Sequence, residues 1–192
     1  MNRNLKVTLA IIFTITMVGA LAAAAVPYEQ TGQASQARVQ AALVKEVRHE
    51  LAMLPYYSLF DWLQFEVKPE GVVVLMGQVT RPTLKSDAEK VVKKVEGVEK
   101  VVNQIEVLPL SSNDDRIRRN VYRALFNYSS PLFRYSVGAV PSIHIIVKNG
   151  NVTLKGVVLS KGDSTIATVQ ANGVPGVFSV TNELLVENDK PE

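Results

Sequence analysis

The chain has 192 residues, with 21 Lys and Arg against 18 Asp and Glu, and no cysteine. The missing thiols exclude disulfides, thiolate zinc sites, thiol catalysis and a lipid-modified N-terminal cysteine. Of the formal charge of +3, Arg3 and Lys6 near the N-terminus carry two, so the rest is nearly neutral and the distribution of charge matters more than its sum.

In chain order, Arg3 and Lys6 precede an apolar stretch, Val7 to Leu21, and the alanine run Ala22 to Ala25. This is the charged, apolar and A-x-A pattern of an export signal over residues 1–25. The 20 uncharged residues from Val7 to Val26 also suffice for an uncleaved anchor. Either reading puts the folded part outside the cytoplasm, periplasmic or otherwise exported, peripheral at a membrane or anchored to it. Residues 26–36 read as a polar linker. Val39, Leu43, Val47, Leu51 and Leu54 recur at the helical period, predicting a helix from about Ala37 to Leu54, ended by Pro55. Phe65 and Val67 start a strand, Gly71 turns it and Val72 to Val79 form its hairpin partner. Ser86, Asp87, Ala88 and Glu89 form a capping-box pattern for a second helix striped by Leu84, Ala88, Val91, Val92 and Val95. Gly97 ends that helix, and Val101 to Leu108 is a last strand.

Pro109 to Asn113 is a linker, and the order then repeats. Ile117, Val121 and Leu125 line a helix 78 residues after Val39, Leu43 and Val47. Ile143–Val147 and Val152–Val158 form a hairpin around Asn149-Gly150, a favoured tight-turn dipeptide. Asp163 caps a helix to about Ala171, Gly173 ends it, and Val177 to Val186 closes the unit. From Gly71 onward the two halves align at a constant offset of 79, Gly71-Val72-Val73-Val74-Leu75-Met76-Gly77 on Gly150-Asn151-Val152-Thr153-Leu154-Lys155-Gly156. Farther along, Val101-Val102-Asn103 falls on Val180-Thr181-Asn182. Only two copies fit, so the chain reads as one small module duplicated. The fold class is α+β, two tandem α-β-β-α-β modules over 37–108 and 114–187. Each is a three-stranded mixed sheet with two helices on one face, and 188–192 is a tail.

The hairpin G-x-V-x-L-x-G-x-V, followed by a helix and G-V-x-x-V-x-N-x-[LI]-x-V, resembles the BON domain in both copies. The resemblance covers nearly all of 37–187. It implies non-enzymatic periplasmic modules that associate with phospholipid surfaces and envelope proteins.

Enzyme chemistry is poorly supplied. His49 and His144 are the only histidines and neither has metal-ligand spacing. There is no G-x-S-x-G, P-loop or Rossmann glycine pattern. No catalytic residue, metal or cofactor is expected. Asp114-Asp115 reads as acid complementing a helix N-terminus.

Charge is distributed unevenly. From Arg116 to Lys161 there are eight basic residues and no acidic one. Arg116, Arg119 and Arg123, at i, i+3 and i+7, share one helix face opposite Ile117, Val121 and Leu125, with Arg118 to the side. An aromatic loop follows, with Phe133, Arg134 and Tyr135. Cations beside amphipathic rings suit a membrane interface, where guanidinium groups meet lipid phosphates. The expected lipid-binding set is therefore Arg116, Arg119, Arg123, Phe133, Arg134 and Tyr135. A solvated arginine face over buried rings is the plainer alternative. The first copy has a matching aromatic loop, Tyr56 to Trp62, without the basic excess.

Alternation in the first hairpin turns Phe65 and Val67 toward the helices. The same register in the second copy turns His144 and Ile146 inward and leaves Ile143, Ile145 and Val147 on the open sheet face. Val74 and Met76 lie on the open face of the first copy. These two apolar faces are expected to pack on each other or to bind a partner. The resulting expectation is an envelope module that docks to anionic phospholipid surfaces and supports envelope integrity or stress tolerance, without nucleic acid as a partner. The alternative is an adaptor that binds an envelope protein through an open sheet face. Polysaccharide binding through Trp62 and Tyr57 is a third option.

Overall fold

The computed structural model describes residues 28–187 apart from residue 139. The export segment and the 188–192 tail lie outside the described residues. The first copy comprises α1 (Tyr28–Ala52), β1 (Trp62–Val67), β2 (Val72–Val79), α2 (Pro82–Val92), β3 (Lys100–Asn103) and β4 (Glu106–Val107). The second comprises α3 (Ser112–Leu125), β5 (Ile143–Lys148), β6 (Asn151–Val158), α4 (Lys161–Asn172) and β7 (Ser179–Val186). The architecture is α+β, with one mixed sheet per copy. In each, the hairpin is antiparallel and the last strand returns parallel to the central one. A parallel return needs a crossover, which α2 and α4 provide.

The repeated motif residues have matching jobs. Asn103 donates to the Lys85 carbonyl and to Glu89, while its own oxygen accepts from the Ile105 amide. Asn182 does the same with Ser164, Thr168 and the Leu184 amide, so each asparagine pins the last strand to the crossover helix. β3 and β4 are one strand interrupted at Gln104-Ile105, because both keep the same register on β2. Gly77 and Gly156, at φ 118° and 121°, sit where a Cβ would stand 1.9 Å from the Trp62 or Ser142 carbonyl oxygen. No side chain fits there.

Helix starts differ from expectation. α1 already runs from Tyr28, so the expected linker is helical there. Leu43, Val47 and Leu51 hold the buried positions of α1 that Ile117, Val121 and Leu125 hold in α3, so the two helices match at 74 residues and not at 78, and Val39, one turn earlier, is 68% exposed. α2 begins at Pro82, whose ring pre-sets a first-turn φ, and Ser86 lies inside the helix, donating to the Thr83 carbonyl. α4 is capped by Ser160, whose hydroxyl accepts from the Asp163 amide. Asp163 is instead the buried third residue of that cap.

Each copy has its own core. Val47, Leu51, Leu75, Leu84, Ala88 and Ile105 lead the first, with Phe65 and Val67 packed against it. The second holds Ile117, Val121 and Leu125 of α3 against Ile143, Ile145 and Val147 of β5. Full burial of such side chains contributes roughly 1.5–3 kcal/mol each. This corrects the expected register: Ile143, Ile145 and Val147 face the helices, and His144 and Ile146 lie on the other face. The cause is the turn. Lys68 closes a three-residue turn onto Val72, whereas Asn149-Gly150 is a two-residue turn with φ 52° and 77°. One residue fewer flips every side chain of β5.

The copies meet through the first copy's aromatic loop. Leu59 and Phe60 pack against the second core, and the Ile145 amide donates to the Leu59 carbonyl at 2.8 Å. His144 Nδ1–H donates to the Asp61 carbonyl at 2.6 Å, and the Trp62 ring meets the imidazole edge-on at 4.9 Å. The fully buried Asp61 carboxylate accepts from the amides and hydroxyls of Ser58 and Thr80, which fixes the loop. Burial pushes the neighbouring Tyr57 hydroxyl up to about 12. Lys148 and Glu106 add an ion pair at 2.5 Å. Val74 is buried and Met76 half-buried on the face away from the helices, but their cross-strand partners Glu66 and Gln64 are exposed. These contacts join the copies along the β5 edge. Trp62 and Tyr57 belong to this junction, which removes them as an exposed sugar-binding pair.

Candidate functional site

α3 carries the strongest surface feature of the molecule. Ser111 caps it, accepting from the Asp114 amide at 3.1 Å. Asp114 is buried, and its carboxylate accepts from the Asn149 and Gly150 amides, both at 2.9 Å. It therefore pins the β5–β6 turn to α3 in addition to complementing the helix N-terminus. Arg118 is also buried, donating to Asp115 at 2.5 Å and to the Val147 carbonyl at 2.7 Å. The acidic first turn and Arg118 are thus consumed by the fold.

The other three arginines are free of it. Arg116, Arg119 and Arg123 are all exposed on the side of α3 opposite Ile117, Val121 and Leu125. Arg116 donates to Asn113 and Arg123 to Asn120, both neutral groups. Among the described residues, none of the three forms an ion pair. Three unpaired guanidinium groups along about two helical turns present a line of positive charge.

The aromatic part of the expected set is rearranged. Tyr135 is buried, its hydroxyl donating to Asp163 at 2.8 Å and accepting from the Leu159 amide at 2.8 Å. Arg134 is paired with the same Asp163 at 2.6 Å. Burial alone would raise the Asp163 carboxyl. The Ser160 and Tyr135 hydroxyls and the Arg134 guanidinium hold it below the usual range instead. Tyr135 is thus buried in a structural cluster, a correction to the expected set, and Arg134, half exposed, is paired within that cluster. Phe133 is half-buried beneath Tyr128, which stacks on it at 4.6 Å and is 91% exposed. Tyr122, between Arg119 and Arg123, is partly exposed and rests edge-on against Phe126.

At the other end of α3 lies Phe178, 85% exposed. Its amide donates to the Gly150 carbonyl at 2.9 Å, as the Glu99 amide donates to Gly71 at 2.9 Å in the first copy. The Arg116 guanidinium stands 3.9 Å from where a Cβ on Gly176 would be, so the two residues flank one loop. The repeat alignment that pairs Gly97 with Gly176 carries the signal for Phe178: it places this ring on the acid Glu99.

Among the described residues, no three His, Cys, Asp or Glu side chains gather as a metal site. No described helix is long and apolar enough to cross a membrane. The family model for the BON domain matches the chain twice, at residues 33–109 and 113–188. No curated protein matches it. Among solved structures, the C-terminal domain of CdsD, the structural protein of the Type III secretion system of Chlamydia trachomatis, is similar at 13% identity. That match covers 75% of this chain and 96% of that one, with a TM-score of 0.27. A second CdsD structure shares 15% identity over 79% of this chain and 100% of that one, with a TM-score of 0.28.

Proposed function

The chain belongs to the BON domain family twice over, and on that premise we propose that it is an exported envelope module that docks on anionic phospholipid surfaces. The BON domain is a non-catalytic binding module associated with phospholipid-binding and envelope proteins. Supporting envelope integrity or stress tolerance is the role that such docking would serve. The observation that carries the reading is the line of unpaired guanidinium groups at Arg116, Arg119 and Arg123. In the first copy Glu46 and Glu50 interrupt the cations Arg38, Lys45 and Arg48 of α1, whereas no acid follows Arg116 on α3, so the second copy is the docking half. Exposed rings at Tyr122 and Tyr128 suit the headgroup depth that cations and aromatics share.

Each arginine at an anionic surface contributes on the order of 1 kcal/mol, so three give on the order of a hundredfold partitioning. The adaptor alternative loses the Ile143, Ile145 and Val147 strip to the second core. Co-sedimentation with phosphatidylglycerol vesicles separates the readings. Arg119→Glu with Arg123→Glu should remove the protein from the pellet, while Met76→Gln should leave it there. The opposite pattern favours a protein partner on the open face of the first sheet.

A further inference from the structure

We infer that Phe178 is a membrane anchor that enters the bilayer beside Arg116 and sets how the second copy sits on an anionic surface. The inference rests on the lipid-docking reading above and adds an apolar contact to its charges. Three observations lead to it.

The first is that the fold does not need this ring. Residues 178 and 99 hold the same backbone position through the same bond, an amide to a turn-glycine carbonyl at 2.9 Å in each copy. The first copy meets that need with Glu99, so the side chain is free to vary. An aromatic left 85% exposed on a tightly hydrogen-bonded loop is not explained by packing.

The second is how the whole loop changes between copies. Val95-Glu96-Gly97-Val98-Glu99 becomes Val174-Pro175-Gly176-Val177-Phe178. Both acids, each exposed in the first copy, are replaced by exposed apolar residues in the second. An acid here would repel anionic headgroups, and an apolar side chain gains by leaving water.

The third is position. The loop touches α3 at its N-terminal end, with Ile117 and the Arg116 guanidinium next to Gly176. The exposed rings Tyr122 and Tyr128 lie toward the other end of the arginine line. Charge in the middle with apolar groups at both ends defines an orientation, which charge alone would leave free to rock.

The absence of cysteine makes the test direct, because Phe178→Cys gives a single attachment point for an environment-sensitive fluorophore. Glu99→Cys is the matched control in the first copy. With vesicles of equal phosphatidylglycerol and phosphatidylcholine, the label at 178 should shift to the blue. Lipids brominated in their acyl chains should quench it. The label at 99 should stay aqueous. Phe178→Ala in the unlabelled chain should weaken vesicle binding about tenfold, and its exposure means the substitution leaves the core intact. If the protein sediments with vesicles but the label at 178 stays in water, the anchor is refuted and the arginine reading stands. If it does not sediment, the lipid reading falls and the anchor with it.

Discussion

The Ile145 amide donates to the Leu59 carbonyl at 2.8 Å, so a loop of the first copy supplies the edge partner of the second copy's sheet. A strand edge left open is a template for unwanted pairing, and covering it is a common remedy. The arrangement does not propagate. Where β5 turns His144 and Ile146 to the junction, β1 has Gln64 and Glu66, which are exposed.

Weakening that strap should loosen the second copy from the first. Leu59→Ala with Phe60→Ala removes two half-buried side chains from the second core's margin and should cost about 2–4 kcal/mol. Hydrogen exchange at the Ile145 amide is the readout. Faster exchange there, with α2 unchanged, is expected. Unaltered protection would mean that the junction is held by His144 and Lys148 instead.

The junction should also weaken in acid. Burial lowers the His144 pKa; the Asp61 and Ser58 carbonyls and the Asp61 charge act the other way without overcoming it. Tyr57 and Trp62, the rings packed on the imidazole, carry no charge in this range. Above the ordinary value of 6.5 the imidazole is neutral in both states, and its contribution is fully present. Below it, the unfolded chain takes up a proton that the folded chain resists, so stability falls as pH falls. His144→Gln should flatten the unfolding free energy between about pH 5 and 7. An identical slope in the variant would assign the dependence to other groups.

Two buried acids should be costly to remove. Asp114 holds the Asn149 and Gly150 amides, and charge-assisted bonds of this kind contribute about 1.5–3 kcal/mol each. Asp114→Ala should lower stability by about 3 kcal/mol in denaturant melts. Asp163→Asn should be milder near neutral pH. Its folded-state pKa is lowered, so the contribution is present above the ordinary value of 3.8 and fades as pH falls below it. The difference between wild type and Asp163→Asn should shrink in acid, and a constant difference would contradict that origin.

Much of this was legible in the sequence because the repeat states each structural requirement twice. Gly77 with Gly156, and Asn103 with Asn182, are paired in the alignment because each pair does one backbone job. The register of β5 was not legible. Leu75 and Leu154 are 79 residues apart, but their partners Phe65 and Ile145 are 80 apart, and only the turn geometry reveals the lost residue. The arginine face was readable from its spacing alone. The ring of Tyr135 was not, since its burial depends on Asp163, distant in sequence. Phe178 escaped a search for charge runs because its meaning lies in what replaced Glu99.

The most direct test is co-sedimentation of residues 26–192 with vesicles of phosphatidylglycerol and of phosphatidylcholine at low and high salt. Guanidinium groups exposed on a helix are screened within about 10 Å at 0.1 M salt. The account predicts binding to the anionic vesicles alone, reduced severalfold by salt. Equal binding to both lipids, or none to either, would contradict it.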